Sequence, residues 1–376
     1  MHFACTQENL LQGLSLVSHI SGKNANLPIL GNVLLKTDSG GLKLSTTNLE
    51  MAVSAQVRGR VEAQGEFTVP AKLLQDYISL LPAGKVELVL ADDVLEVRAD
   101  GSSTSIKGMP SSEFPLIPKL AKDGGYHLKA DVLRNAIGQV AFAVSGSESR
   151  PELSGVACYF HGQINGSLVM AATDSYRLSE RVLPLEGSGT QKEGKCIVPA
   201  RAMQEAARIL TAYKDDVGMP EQVEWSVTDS QMVMTYGNVE LISRLIEASF
   251  PDYRQLIPAQ FKTTMVLSRS ELQKAIRAAS LFSRQGLFDI HFEVVPGEGL
   301  KVSSADTGTG AHKTTLKAEI DGDANKVILN FRYISDGLSA MGTDKIVLRM
   351  IDAMNPVVVT PKDQEGFRYI VMPIRQ

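Results

Sequence analysis

Three segments of the chain, TVPAKLLQDYISLL (68–81), IVPARAMQEAARIL (197–210) and LNFRYISDGLSAM (329–341), align without a gap. Val69, Val198 and Leu329 coincide, as do Lys72, Arg201 and Arg332. Leu74, Met203 and Ile334 follow, and Leu81, Leu210 and Met341 close the block. An opening Pro or Asn, then apolar residues at helical spacing, predicts the capped start of a helix. Four residues after each base comes an acid, Asp76, Glu205 or Asp336, on the same helical face. A chain written three times folds as three copies of one unit, and this constrains it more than any composition does.

A second trio is LLQGL (10–14), LRNAI (133–137) and LQKAI (272–276), with a small residue, Gly13, Ala136 or Ala275, before the last apolar one. Thr6, Asp131 and Ser268 or Ser270 are placed to cap these helices. A third trio, STTNLEM, AATDSYRL and SSADTGTG, puts Asn48, Asp174 and Asp306 after an alternating strand. Runs such as VELVL from Val86, VLEVRA from Val94, VEWSV from Val223, MVMTY from Met232 and KIVLRM from Lys345 alternate with the period of half-buried strands. The repeat is therefore an α+β unit with two helices and many short strands. Its copies are predicted to occupy residues 1–122, 123–258 and 259–376.

The connectors match as well. EFPLIPKLAKDGG and SFPDYRQLIPAQFK both carry Phe-Pro and a later Leu-Ile-Pro, which predicts extended links. The apolar ending YIVMP (369–373) corresponds to SIKGMP (105–110) and ISRLIEA (242–248), so it reads as the third copy of a strand.

Net charge is −4, so no global positive field marks a nucleic-acid binder. The repeated helices nonetheless carry Lys72, Lys129, Arg134, Arg201, Arg208, Lys214, Arg269, Lys274, Arg277, Arg284 and Arg332, with Lys23 after the first. Their acids are fewer: Glu8, Asp76, Asp131, Glu205, Glu271 and Asp336. One basic helix is an ordinary solvated face, but a bias repeated across copies suits a surface that touches phosphates without reading bases.

Enzymatic constellations are missing. His2, His19, His127, His161, His291 and His312 are scattered, and Cys5, Cys158 and Cys196 form no CxxC pair, so neither a metal site nor a cofactor is expected. Phosphate-loop and nucleophile-elbow patterns are absent from the sequence. An N-terminus without a basic-then-apolar leader, and no long apolar run, point to a cytoplasmic protein.

LPILGNVLL (27–35), TTNLEMAV (46–53), VPAK, ATDSYRL, VPAR, FPDYRQLIP and the terminal YIVMPIR, taken in order, resemble the bacterial DNA polymerase III beta subunits, the sliding clamps. The resemblance spans the chain. It implies a DNA-clamp fold of three repeated clamp domains and a head-to-tail homodimer ring with helices inside and sheets outside. Such a ring encircles double-stranded DNA as a non-catalytic processivity factor of the polymerase.

The family's partners are the DNA polymerase III alpha subunit, the clamp loader and other clamp-binding polymerases and repair proteins. They insert a peptide into a pocket whose matching positions here are Leu153, Thr173, Tyr176, Arg177, Leu178, Pro251, Leu256, Asn330, Tyr333, Val371, Met372, Pro373, Ile374 and Arg375. DNA-facing candidates are Lys23, Asn24, Lys72, Arg134, Ser147, Arg201, Arg208, Lys274, Arg277 and Arg332. The chain departs from the family where SADTGTGAHKTTL replaces a commonly acidic segment. The alternative reading is a peptide-binding scaffold ring that does not encircle DNA.

Overall fold

The structure, a computed structural model, describes every residue except 23–26, 119–123, 148, 188, 214–217, 285 and 376. The chain forms two compact units. The first comprises residues 1–131, 186–190 and 205–245, and the second comprises 132–185, 191–204 and 246–376.

The first unit holds two antiparallel sheets. One runs β5 (Arg60–Ala63), β1 (His2–Thr6), β7 (Lys85–Ala91), β8 (Val94–Ala99), β9 (Ser102–Lys107). The other runs β10 (Tyr126–Lys129), β15 (Gln222–Val227), β16 (Gln231–Tyr236), β17 (Val239–Arg244), β4 (Met51–Val57), β3 (Gly41–Thr47), β2 (Asn32–Asp38), β6 (Glu66–Pro70). The second unit repeats the plan. Its longer sheet runs β14 (Gly194–Pro199), β11 (Gly155–Phe160), β12 (Ser167–Thr173), β13 (Arg177–Pro184), β26 (Phe367–Val371), β25 (Val357–Pro361), β24 (Lys345–Met350), β18 (Thr263–Ser268), β22 (Glu319–Gly322). Its shorter sheet runs β21 (Gly310–Leu316), β20 (Gly299–Asp306), β19 (Asp289–Val295), β23 (Asn325–Asn330). The middle repeat thus gives one set of strands to each unit, through the β4·β17 and β13·β26 pairings.

The six repeated helices form where their spacing predicts: α1 (Gln7–Val17), α2 (Ala71–Leu80), α3 (Ala130–Val140), α4 (Ala200–Ala212), α5 (Arg269–Ser280) and α6 (Phe331–Ser339). Thr6 and Ser268 cap α1 and α5 by accepting from the Asn9 and Glu271 N–H groups. Asp131 lies inside the first turn of α3 rather than at its cap, because the helix already begins at Ala130. The small residue of the second trio marks where the helix meets its sheet. A Cβ on Gly13 would lie 2.6 Å from Val57, and Ala136 and Ala275 are buried.

Two further expectations are corrected. The second connector is not extended throughout: Tyr253–Leu256 wind into a 3-10 turn, anchored by the buried Tyr253, whose hydroxyl donates to Glu180 at 2.7 Å. The last strand ends at Val371, not Pro373. Beyond it the chain stays attached, with the Met372 and Ile374 N–H groups donating to the Tyr176 and Ile328 carbonyls at 2.8 Å each.

Candidate partner groove and basic helices

The turn between β12 and β13 is fixed by its own side chains. Asp174 Oδ1 accepts from the Tyr176 and Arg177 N–H groups at 2.9 and 3.0 Å. Thr173 donates to the Arg177 carbonyl at 2.6 Å and accepts from Ser175 N–H. Ser175 adopts φ 79°, in the left-handed region that Asx-type turns tolerate. The result projects Tyr176, 63% exposed, while Arg177 turns inward.

Arg177 organises the floor. Its guanidinium bonds Asp174 at 2.9 Å, Asp336 at 2.5 Å and the Phe142 carbonyl at 3.0 Å, and lies 4.8 Å over the Tyr333 ring. Burial alone would lower its pKa. Asp336, Tyr369 and Asp174 outweigh that, so it is held above its usual value and stays charged. Tyr333 stacks on Tyr176 with ring centroids 6.3 Å apart. The Tyr333 carbonyl accepts from the buried Tyr369 hydroxyl at 2.7 Å. Gly337 makes that approach possible, since a Cβ there would sit 2.1 Å from the Tyr369 ring. Met372 lies beside Tyr176 through its N–H and is half-buried, as are Pro373 and Ile374, and Arg375 is exposed.

The structure therefore brings together Thr173, Tyr176, Arg177, Tyr333, Val371 and Met372, while Ile374 is tied to Ile328 on β23. Leu153, Thr173, Leu178 and Val371 are buried, so they support the surface from beneath. Leu178 packs in a small core with Tyr253 and Ile370, which ties the turn Tyr253–Leu256 to the sheet. Pro251 is half-buried beside that turn, and Leu256, at its end, is 51% exposed. Asn330 caps α6 by accepting from Arg332 N–H at 2.9 Å. Sequence reasoning overlooked Phe142 and Asp174 as members. It flagged Asp336 only as the acid that follows Arg332, whereas the carboxylate reaches Arg177.

Among the basic candidates, Lys72, Arg201, Lys274, Arg277 and Arg332 are exposed and Arg134 is half-buried. Arg332 lies with Cζ 3.7 Å over the Phe288 ring. Ser147 is exposed, sharing a hydroxyl contact of 2.8 Å with Ser149. Lys23, Asn24 and Lys214 lie outside the described residues. Arg208 is engaged within the protein. Its guanidinium bonds Glu205 at 2.6 Å and the Ser15 and Leu16 carbonyls at 3.2 and 2.5 Å, which fastens α4 to the end of α1. Glu205, buried, also meets His19 Nδ1 at 2.7 Å. Arg269 and Arg284 are likewise occupied, by the Thr343 carbonyl and by Asp289.

One α+β unit written thrice, sheets joined strand to strand, exposed bases on successive helices and an aromatic surface beside the last strand define a protein of the clamp class. The family models for the DNA polymerase III beta subunit match in series: the N-terminal domain over residues 1–118, the central domain over 127–252 and the C-terminal domain over 254–375. The beta sliding clamp of Synechococcus elongatus is 30% identical over 381 residues, covering 100% of this chain and 99% of its own. A crystal structure of the Pseudomonas aeruginosa DNA polymerase III subunit beta superposes with a TM-score of 0.92 at 27% identity, covering 100% of both chains. So does that organism's sliding clamp bound to griselimycin, with the same score, identity and coverage. The chain belongs to the DNA polymerase III beta subunit family, and its function is that of a sliding clamp.

Proposed function

We propose that two copies pair head to tail into a closed ring that encircles duplex DNA, slides without reading sequence and tethers the replicative polymerase through the groove at the chain's end. Each copy contributes three domains, 1–122, 123–258 and 259–376. The ring acts in the cytoplasm as a non-catalytic subunit and offers the groove in turn to the polymerase alpha subunit, the clamp loader and other replication and repair proteins.

The observation that carries the ring is a pairing rule. The strand after the Asn48 turn, β4, pairs with β17, the last strand of the next repeat. The strand after the Asp174 turn, β13, pairs with β26, again the last strand of the next repeat. The two contacts agree in detail: Arg244 N–H donates to the Glu50 carbonyl at 2.9 Å, and Met372 N–H to the Tyr176 carbonyl at 2.8 Å. The strand after the Asp306 turn is β21, and the last strand of the first repeat is β9. Each is the outermost strand of its sheet. Applied once more, the rule pairs β21 of one copy with β9 of another, and a second such contact closes the ring. Equivalent positions set the register. Ala52 faces Ile242 and Leu178 faces Ile370, which places Ala311 opposite Ser105 of the other copy.

Lys72, Arg134, Arg201, Lys274, Arg277 and Arg332, with Lys23, Asn24 and Ser147, supply the phosphate contacts in this reading. Arg208 is left out because most of its donors are already engaged. Such contacts are individually weak and salt-sensitive, so retention comes from closure. Tethering then works by raising the polymerase's local concentration. In the groove, Tyr176, Leu256, Met372, Pro373 and Ile374 offer a partner's apolar anchors an accessible surface.

Retention on closed circular against linear DNA is the test. The clamp, loaded and then gel-filtered, stays on the circle and runs off the linear form. Equal retention on both, or equal loss, contradicts encirclement and favours a scaffold ring that binds only peptides.

A further inference from the structure

We propose that Cys158 and Cys196 are a modification site, closing into a reversible intrachain disulfide when the protein meets a hydroperoxide. The two residues are direct register partners in the antiparallel pair β11·β14. Opposed residues in such a pair send their side chains to the same face. Ile197 has its carbonyl turned to the Ile246 N–H on the outer edge, which makes the flanking Cys158–Cys196 pair a hydrogen-bonded one. Its Cα atoms are then about 5.5 Å apart, inside the roughly 4.4–6.8 Å that a disulfide spans. The Cys158 thiol donates to the Val156 carbonyl at 3.8 Å, and its pKa is raised first by burial and then by the neighbouring Cys196.

The two thiols differ in access. Cys158 is fully buried, and Cys196 is half-buried on β14, the outermost strand of its sheet. Cys196 is therefore the thiol that meets an oxidant. Its thiolate attacks one peroxide oxygen, the O–O bond breaks, hydroxide leaves and a sulfenic acid forms. The Cys158 sulfur then attacks the Cys196 sulfur. The S–O bond breaks, and the displaced hydroxide takes the Cys158 proton as water. Overall, two thiols are oxidised to one disulfide while one peroxide is reduced to two waters. Cys5 is an internal control: it is buried and its register partner is Val86, so it has no opposing thiol.

The experiment treats the full-length protein with hydrogen peroxide under native conditions and reads intact mass and peptide map. The expected product is monomeric, about 2 Da lighter, with the peptides of Cys158 and Cys196 linked. Dithiothreitol restores the original mass. Cys196→Ser, a change at a half-buried edge position, forms at least tenfold less of this species, and Cys5→Ser forms as much as wild type. Stepwise gain of oxygen on Cys196 without the lighter species would overturn the proposal. So would a disulfide that links two chains in place of the internal one.

Discussion

The two strand junctions inside the chain and the two strand edges left open obey one geometry but differ in chemistry. At β4·β17, Leu241 faces Val53 and Val239 faces Ala55, all buried. At β13·β26, Leu178 faces Ile370, both buried. The open edges are polar: β9 reads SSTSIK and β21 reads GAHKTTL, with Ile106 and Leu316 their only buried residues. Burial of apolar pairs makes the internal junctions permanent parts of a core. An interface built on backbone hydrogen bonds and hydroxyls, with His312 and Lys313 on one side and Lys107 on the other, is one that opens. Short polar edges bearing lysine also keep the free monomer from indiscriminate sheet extension. A clamp must be permanent within each chain and openable between chains, and the sequence of each strand follows that division.

The comparison breaks most readily at an internal junction. Ile370→Ala should cost about 2–5 kcal/mol in urea unfolding. Ser105→Pro on β9 should leave monomer stability within about 1 kcal/mol, because it removes only an outward-facing edge donor, yet abolish the dimer in sedimentation. Loss of monomer stability from the edge variant would erase the distinction.

Next in size is the packing beneath the groove. Gly337→Ala drives a methyl into the Tyr369 ring and should cost about 1–3 kcal/mol. Deleting residues 372–376 should instead abolish peptide binding while the dimer survives. Unchanged peptide affinity would remove the groove assignment.

Of similar size is the division among the basic residues. Arg208→Ala leaves Glu205 short of a buried partner and should cost about 1–3 kcal/mol of stability with little change in DNA retention. Lys274→Ala should leave stability alone and lower the salt slope of DNA binding by about 1 per copy. The reverse pattern would show that Arg208, not Lys274, faces phosphate.

The smallest effect concerns the sheet that carries β21. Burial works against ionised Asp289, but Arg284 outweighs it and holds the carboxyl below its usual range. A lowered folded-state pKa gives stability that is fully present above the unfolded value, about 3.9, and is lost as pH falls through the folded one. The deficit of Asp289→Asn should therefore be constant above about pH 5 and shrink below it. A deficit that grows on acidification would reverse the sign.

Repetition made the helices and the turns legible. Asn48, Asp174 and Asp306 each accept from backbone N–H groups two and three residues on, a local pattern that survives divergence. The groove was less legible. Its polar floor depends on Arg177 meeting Asp336 across 159 residues of chain, and no spacing announces that contact. Basic residues on a helix were legible as charge but not as free charge. Arg208 and Lys274 look alike in sequence, and only tertiary structure shows that Ser15, Leu16 and Glu205 occupy one of them. The sheets also ignore the repeat boundaries. The repeats were read from similarity, whereas the strands pair by edge geometry, and the middle repeat has an edge to give on each side.

The central claim, that the third junction forms between copies by the rule of the first two, is tested most directly by paired cysteines. With Cys196→Ser as background, Thr104→Cys and His312→Cys should occupy facing positions, in a non-hydrogen-bonded pair, across the copy-to-copy strands. Mild oxidation should then yield a covalent dimer closed at both contacts. Thr104→Cys with Lys313→Cys, whose side chains point to opposite faces, should yield none. Failure of the first pair to cross-link, or equal cross-linking by both, would contradict the account.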